Sequence, residues 1–399
     1  MRQSRKTKPQ TAEIFLTTIL KISEVYAEEV HILDNDFTVN SFNEPARVIR
    51  RSGVPEDAQR ISLRERFSKK GFLRFLKNNL PAKGDDKRER VRKIIMDLSF
   101  VLFICSAVYL LIYYGNYRER IAQTNDFEEI IEQYEEISGP ELEKAWNNIK
   151  EQYPSVEFPK NMNIKFAPLY AINQDVVGWL KIPNTNISTV ILQHDTRDYY
   201  LYKDIYKDYS RYGNPYADLR CNLSEGKTSK NIIIYGHNTH DGLMFHQLIN
   251  YMTLDGYKKA PVISFETLYE KSQWKIFAVM LTNSTSDADN GYIFDYLYTD
   301  FSSDSAFMSL MDSVMQRSMI HTGIDVQPDD SIITLYTCYQ NIFKGGRLVI
   351  FARRVRDGES AVVDTSAAYY NGGARFPQAY YDKMGTVNPY APATTEPST

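Results

Sequence analysis

From residue 163 to residue 356 the apolar positions come in short runs broken by turn formers: VVGWLKI, STVILQ, NIIIYGH, PVISFETLY, WKIFAVML, SIITLYTC and RLVIFARRV. Runs of this length, rich in β-branched and aromatic residues, predict seven strands. Few helical intervals separate them, which argues for a closed or nearly closed β-barrel rather than a parallel α/β sheet. The clearest exception is 304–323, where Phe307, Leu310, Met311, Val314 and Met315 keep a helical period and Gly323 suits a position just past a helix C-terminus.

Upstream the pattern changes. Residues 94–114, IIMDLSFVLFICSAVYLLIYY, form an apolar run with one charge, Asp97. At about 1.5 Å per residue such a helix crosses a hydrocarbon core of about 30 Å. Tyr109, Tyr113 and Tyr114 supply an interfacial aromatic belt at one end. The run lies too far from the N-terminus to be a cleaved signal peptide. After it, residues 115–162 are acidic with helical spacing and predict a stalk or N-terminal helices of the next domain. Residues 1–93 contain one helix-like run, 11–30, and otherwise polar and basic text that predicts a largely disordered segment. Residues 357–399 are rich in Tyr, Pro, Ala, Thr and Gly without apolar period, which predicts a disordered tail.

Charge gives the span a direction. Residues 1–93 hold 21 Lys and Arg against 13 Asp and Glu, whereas residues 115–399 hold 26 against 36, within an overall net charge of −3. The basic flank KGDDKRERVRK places the N-terminal side in the cytoplasm and the large C-terminal part outside the cell membrane. The acidity of that outer part, and the lack of a phosphate-binding glycine loop after a strand, argue against nucleic acid. Of three cysteines Cys105 lies in the span, so Cys221 and Cys338 cannot make a disulfide framework and the outer domain must rely on its core.

In SIITLYTC an alternation of two puts Ile332, Thr334, Tyr336 and Cys338 on one face. The following Lys-Gly-Gly segment lets the chain turn, so that Cys338 and Arg347 stand at adjacent ends of a hairpin. A neighbouring cation lowers a thiol pKa and can hold a developing oxyanion. The candidate base is His237, which ends the apolar run 232–235 at the start of a Gly- and Asn-containing loop. Taken singly, a histidine at a strand end and a cysteine in an apolar strand are more often structural than catalytic. His240 and His246 lie close by, but their spacing fits no zinc pattern and Asp241 has no clear partner, so no metal site is predicted. Cys221, in the polar turn-like stretch YADLRCNLSEG, reads as a bystander thiol.

Four segments together, INQDVVGWLKIPNTNISTVILQ, NIIIYGHNTHDGLMFHQL, TLYTC and RLVIFARRV, resemble the sortases, membrane-anchored cysteine transpeptidases of Gram-positive cell walls, and class B in particular. The helical interval before TLYTC is similar to the class B insertion between the sixth and seventh barrel strands. The resemblance implies a mainly β fold: a closed sortase-type barrel of seven to eight strands with peripheral helices, over residues 163–356, on a single transmembrane helix. It implies His237 as the catalytic histidine, Cys338 as the nucleophile and Arg347 as the arginine, with no cofactor. The implied reaction cleaves a C-terminal sorting signal resembling Asn-Pro-x-Thr-x after its threonine through a thioester, which an amine of a peptidoglycan precursor resolves. Surface proteins bearing that signal are the implied partners. Thr337, Tyr339 and Asn238 are candidate substrate contacts, with packing the alternative role for Thr337 and Tyr339. Two other readings stay open: a pilin-polymerising sortase that uses a lysine acceptor, and a non-catalytic surface binding protein on the same barrel.

Overall fold

The computed structural model describes residues 80–82 and 84–391, and the chain divides into two units, Met1–Ile112 and Tyr113–Thr399. The helix-like run at 11–30 lies outside the described residues. In the first unit the described part is chiefly the start of helix α1 (Lys87–Gln133). Leu102, Phe103 and Tyr109 are exposed there, and α1 is long and apolar enough to cross a membrane.

Helix α1 continues without a break from the apolar run into the acidic stretch. No proline interrupts residues 115–133, and Phe127 and Ile131, one turn apart, give this part a buried face. The chain turns only before helix α2 (Gly139–Gln152), where Gly139 and Pro140 follow Ser138. Phe127, Ile131 and Ile149 share one apolar cluster with Trp179, Val190 and Leu192 of the barrel.

Helix α3 (Ala167–Ile172) leads into strands β1 (Val176–Lys181), β2 (Ser188–Leu192) and β3 (Tyr216–Ala217). A small hairpin, β4 (Leu223–Ser224) and β5 (Lys227–Thr228), precedes β6 (Asn231–Gly236). After helix α4 (Leu254–Lys259) come β7 (Val262–Thr267), β8 (Lys271–Asn283) and helix α5 (Asp304–Arg317). The chain ends with β9 (Ile320–His321), β10 (Ile332–Cys338), β11 (Gly346–Arg354), β12 (Tyr369–Tyr370) and helix α6 (Gln378–Met384). Eight strands close a barrel in the order β1-β2-β3-β6-β10-β11-β8-β7. Seven are the runs read from sequence. The eighth, β3, has two residues and therefore no period to detect.

Alternation along β10 sorts its side chains. Ile333 and Leu335 join Leu348, Ile350 and Ala352 in the barrel interior, while Ile332, Val349 and Phe351 pack with Phe307, Met311 and Val314 of α5 on the outside. Each fully buried Ile, Leu or Phe of these clusters contributes about 1.5–3 kcal/mol of transfer free energy. The face shared by Tyr336 and Cys338 is thus the outer one.

Two expectations are corrected. Helix α5 ends at Arg317, short of Gly323, because Ser318 turns extended: its hydroxyl accepts from Val279 N (3.0 Å) and donates to Ile320 O (2.7 Å), and the chain enters β9. The tail expected to be disordered is ordered as far as residue 391, with β12 paired to β9 and Tyr381 of α6 buried. Its aromatic residues carry no period of their own because they pack on segments distant in sequence.

Candidate active site

The site is built at one end of three adjacent strands. β10 lies between β6, to which it is parallel, and β11, to which it is antiparallel. The last pair of the β10/β11 ladder is Cys338 with Arg347, so thiol and guanidinium start from directly opposed backbone positions on the outer face. The last pair of the β6/β10 ladder is Thr337 with Gly236, so His237 follows β6 at the level where Cys338 ends β10. The three residues singled out in the sequence are therefore brought to one edge. Cys338 is half-buried, as are His237 and Arg347.

Local sequence fixes this edge. A Cβ on Gly236 would lie 2.5 Å from the Phe245 ring, so only glycine lets the His237 segment pass that side chain. Gly345 takes φ +80°, which closes the turn, and Tyr339 N donates to Gly346 O (2.9 Å). Ser284 N in turn donates to Gly345 O (2.9 Å), tying the hairpin to the end of β8.

Hydrogen bonds orient each group. His237 Nε2 stands 2.7 Å from the Leu201 carbonyl. A carbonyl can only accept, so Nε2 carries a hydrogen and Nδ1 is the nitrogen left to exchange a proton. The ring also lies beside Tyr202, with centroids 5.4 Å apart. Arg347 gives Nε to Tyr336 Oη (2.5 Å) and Nη1 to the Gly346 carbonyl (2.9 Å), and among the described residues Nη2 has no hydrogen-bond partner. Burial pushes the Tyr336 phenol up, against the Arg347 guanidinium that pulls it down, so it stays neutral and accepts from Nε.

The secondary candidates separate. Asn238 Nδ2 donates to the Cys338 carbonyl (2.7 Å), and its Oδ1 meets His246 Nδ1 (2.7 Å), so Asn238 ties the His237 loop to the end of β10. Thr337 is 0% exposed, and its hydroxyl donates to Gly236 O (2.7 Å), which makes it part of the framework that aligns β6 with β10. Tyr339 is half-buried at the base of the turn. Cys221 is not in an open polar turn: it is buried, accepts from Ile233 N (3.3 Å), and burial pushes its thiol up to about 12. Asp241 does have partners, Arg211 (2.8 Å) and the hydroxyls of Tyr212 (2.9 Å) and Tyr113 (3.3 Å).

Sequence reasoning missed Tyr336 as the support of Arg347. The alternation in SIITLYTC placed it on the same face, two residues before Cys338, and that was the available signal. It also missed the row of Tyr216, Tyr235 and Tyr336 across β3, β6 and β10, with ring centroids 5.4 and 5.1 Å apart. Tyr216 and Tyr235 donate to Asp198 (2.8 Å) and Asp218 (2.7 Å). A cavity of about 300 Å³ opens beside this row, lined by Tyr199, Tyr216, Asp198, Asp218 and Arg220 among others.

Known proteins give this geometry its context. A family model, the sortase domain, matches residues 180–355. Sortase B of Staphylococcus aureus is 32% identical over 195 residues, which are 48% of this chain and 75% of that protein. Sortase B of Listeria monocytogenes is 37% identical over 188 residues, 47% of this chain and 72% of the relative. A solved Staphylococcus aureus sortase B–substrate complex aligns over 54% of this chain and 93% of its own, at 27% identity and a TM-score of 0.44. With at least seven-tenths of each sortase B aligned at 32–37% identity, the chain belongs to the sortase family, is class B-like, and is a cysteine transpeptidase that anchors or processes surface proteins.

Proposed function

We propose that Cys338 is the nucleophile, His237 the general acid and base, and Arg347 the oxyanion or substrate-backbone clamp of a sorting reaction at the outer face of the cell membrane. The observation that carries this reading is the cross-strand pairing of Cys338 with Arg347, with His237 at the same level on the adjoining strand end. The Cys338 thiolate attacks the carbonyl carbon of the threonine in an Asn-Pro-x-Thr-x signal. Negative charge gathers on that oxygen, where Arg347 Nη2 is free to donate. The C–N bond then breaks, His237 gives its proton to the departing amine, and a thioester remains on Cys338. An amine of a peptidoglycan precursor attacks the thioester, loses its proton to His237 and expels the thiolate, so the acid and base roles alternate on one imidazole.

Asn238 and Thr337 act here as positioning residues, since each is committed to the backbone of the neighbouring strand. Tyr339 keeps the role of substrate contact. Helix α1, through its apolar run 94–114, anchors the enzyme with residues 1–93 in the cytoplasm and the barrel outside. The basic flank before the run supports this direction.

The test supplies purified full-length enzyme with an Asn-Pro-x-Thr-x peptide and, in separate reactions, a peptidoglycan-precursor amine or a lysine-bearing protein, and weighs the products. A branched product with the precursor amine is expected. A product with the lysine side chain alone would make the protein a pilin polymerase, and no cleavage after threonine would withdraw the signal.

A further inference from the structure

The sortase-domain match ends at residue 355, one residue past the last barrel strand, yet the chain remains ordered for more than thirty residues beyond it. That extension runs back to the candidate site. Asn371 N and Nδ2 donate to Met319 O (2.9 Å) and Ser318 O (2.8 Å), Arg375 N donates to Gln316 O (3.2 Å), and β12 pairs with β9. Gln378 N, at the start of α6, donates to Asp289 Oδ1 (2.8 Å).

Beyond these anchors, Phe376, Ala379 and Tyr380 enter an apolar cluster with Leu281, Ala288 and Phe343 that also receives Tyr339 and Ile342. Tyr339, Ile342 and Phe343 belong to the turn that joins Cys338 to Arg347. Phe376 and Tyr380 stack with ring centroids 3.9 Å apart, so they present one stiff aromatic unit to the cluster. Without it, Phe343 would keep Leu281 and Ala288 but lose the apolar partners that the extension supplies.

We infer that residues 369–385 form a brace that holds the Cys338–Arg347 turn, making the C-terminal extension a positioning element of the transpeptidation. A brace of this kind sets the distance and angle between thiol and guanidinium without touching substrate. Such an effect falls on turnover rather than on substrate binding. The inference rests on the reading that Cys338 and Arg347 act on the substrate.

The experiment uses the full-length enzyme in detergent, comparing the parent with a Phe376→Ala/Tyr380→Ala double variant. Amide hydrogen exchange across residues 339–346 should speed up about tenfold, the signature of a locally loosened segment, while the strands of the barrel keep their protection. Turnover of a sorting peptide should fall by about tenfold with KM within a few-fold, and the pair Phe376→Leu and Tyr380→Phe should restore both. If the double variant does not fold, Asp289→Ala, which removes the acceptor for Gln378 N, gives the same comparison. A folded variant with parental exchange and parental turnover overturns the brace. Cys338→Ala run in parallel separates the two claims: full turnover by that variant would sink the reading of the site, whatever the turn does.

Discussion

The two halves of the candidate site are held in different ways. Cys338 and Arg347 terminate strands that are paired on both sides, β10 between β6 and β11, and β11 between β10 and β8. Their spacing is set by backbone ladders and by the closed turn between them. His237 stands one residue beyond β6, where the ladder has run out, and its loop is closed by one backbone bond, Phe245 N to His237 O (2.8 Å), and by side chains: Asn238 on Cys338 O, and Asp241 on Arg211, Tyr212 and Tyr113. Arg120 of α1 also reaches this loop's surroundings, bonding Asn214 Oδ1 (3.1 Å) and standing 3.9 Å from Met244 Sδ. It is 7% exposed, its Nε has no hydrogen-bond partner among the described residues, and burial pulls its guanidinium down to about 10. The comparison teaches that the proposed nucleophile and clamp are placed by paired strands, whereas the proposed proton carrier is placed by a loop held through a few local contacts.

The sharpest way to break this comparison is Arg347→Lys. A guanidinium held through Nε by Tyr336 offers a planar donor in fixed orientation, and a lysine offers a mobile point charge. Loss of about 10² or more in kcat/KM is expected, with circular dichroism unchanged. A folded variant within a few-fold of the parent would mean that charge alone suffices and that the strand-placed half has no special role.

A smaller effect is expected in the loop-placed half. Asp241→Ala removes the acceptor shared by the exposed Arg211 and the buried Tyr212 and should lower kcat/KM by about tenfold while costing about 1–3 kcal/mol of stability, the range for leaving a buried donor such as the Tyr212 hydroxyl unpaired. Thioester formation and its resolution should slow together, as the role proposed for His237 in both steps requires. Slowing of one step alone would show that the loop, not the imidazole, selects between them.

The smallest effect is a pH dependence of stability beside the site. Burial pushes the Asp218 carboxyl up, but Arg220 and the Tyr235 hydroxyl outweigh it and bring it down from 3.8 to about 2. A folded carboxyl below its unfolded value contributes stability that is present above about pH 4 and lost as pH falls toward about 2. Asp218→Asn should therefore flatten the decline of the thermal midpoint over that interval, and an unchanged decline would remove Asp218 from the account.

These residues also show what the sequence could and could not reveal. The alternation in SIITLYTC placed Cys338 and Tyr336 together, and the apolar runs placed seven strands, because both are local periods. Asp241 as a tie for the His237 loop and Phe376 beneath the Cys338 turn depend on partners far away in the chain, which no period records. Strand β3 escaped for the opposite reason, being too short to have one. The helix α1 ran past its expected end because Gly115 is tolerated inside a helix whose later turns have a barrel to pack on.

The central claim is that Cys338 carries the acyl group, and it is tested most directly by trapping the intermediate. Full-length enzyme mixed with an Asn-Pro-x-Thr-x peptide in the absence of any amine acceptor, quenched in acid and digested, should show the mass of the threonine-ended fragment on the peptide containing Cys338. That adduct should be missing from Cys338→Ala and strongly reduced in Arg347→Lys. An adduct on Cys221, whose thiol burial holds in its protonated form, or cleavage of the peptide by Cys338→Ala at the parental rate, would contradict it.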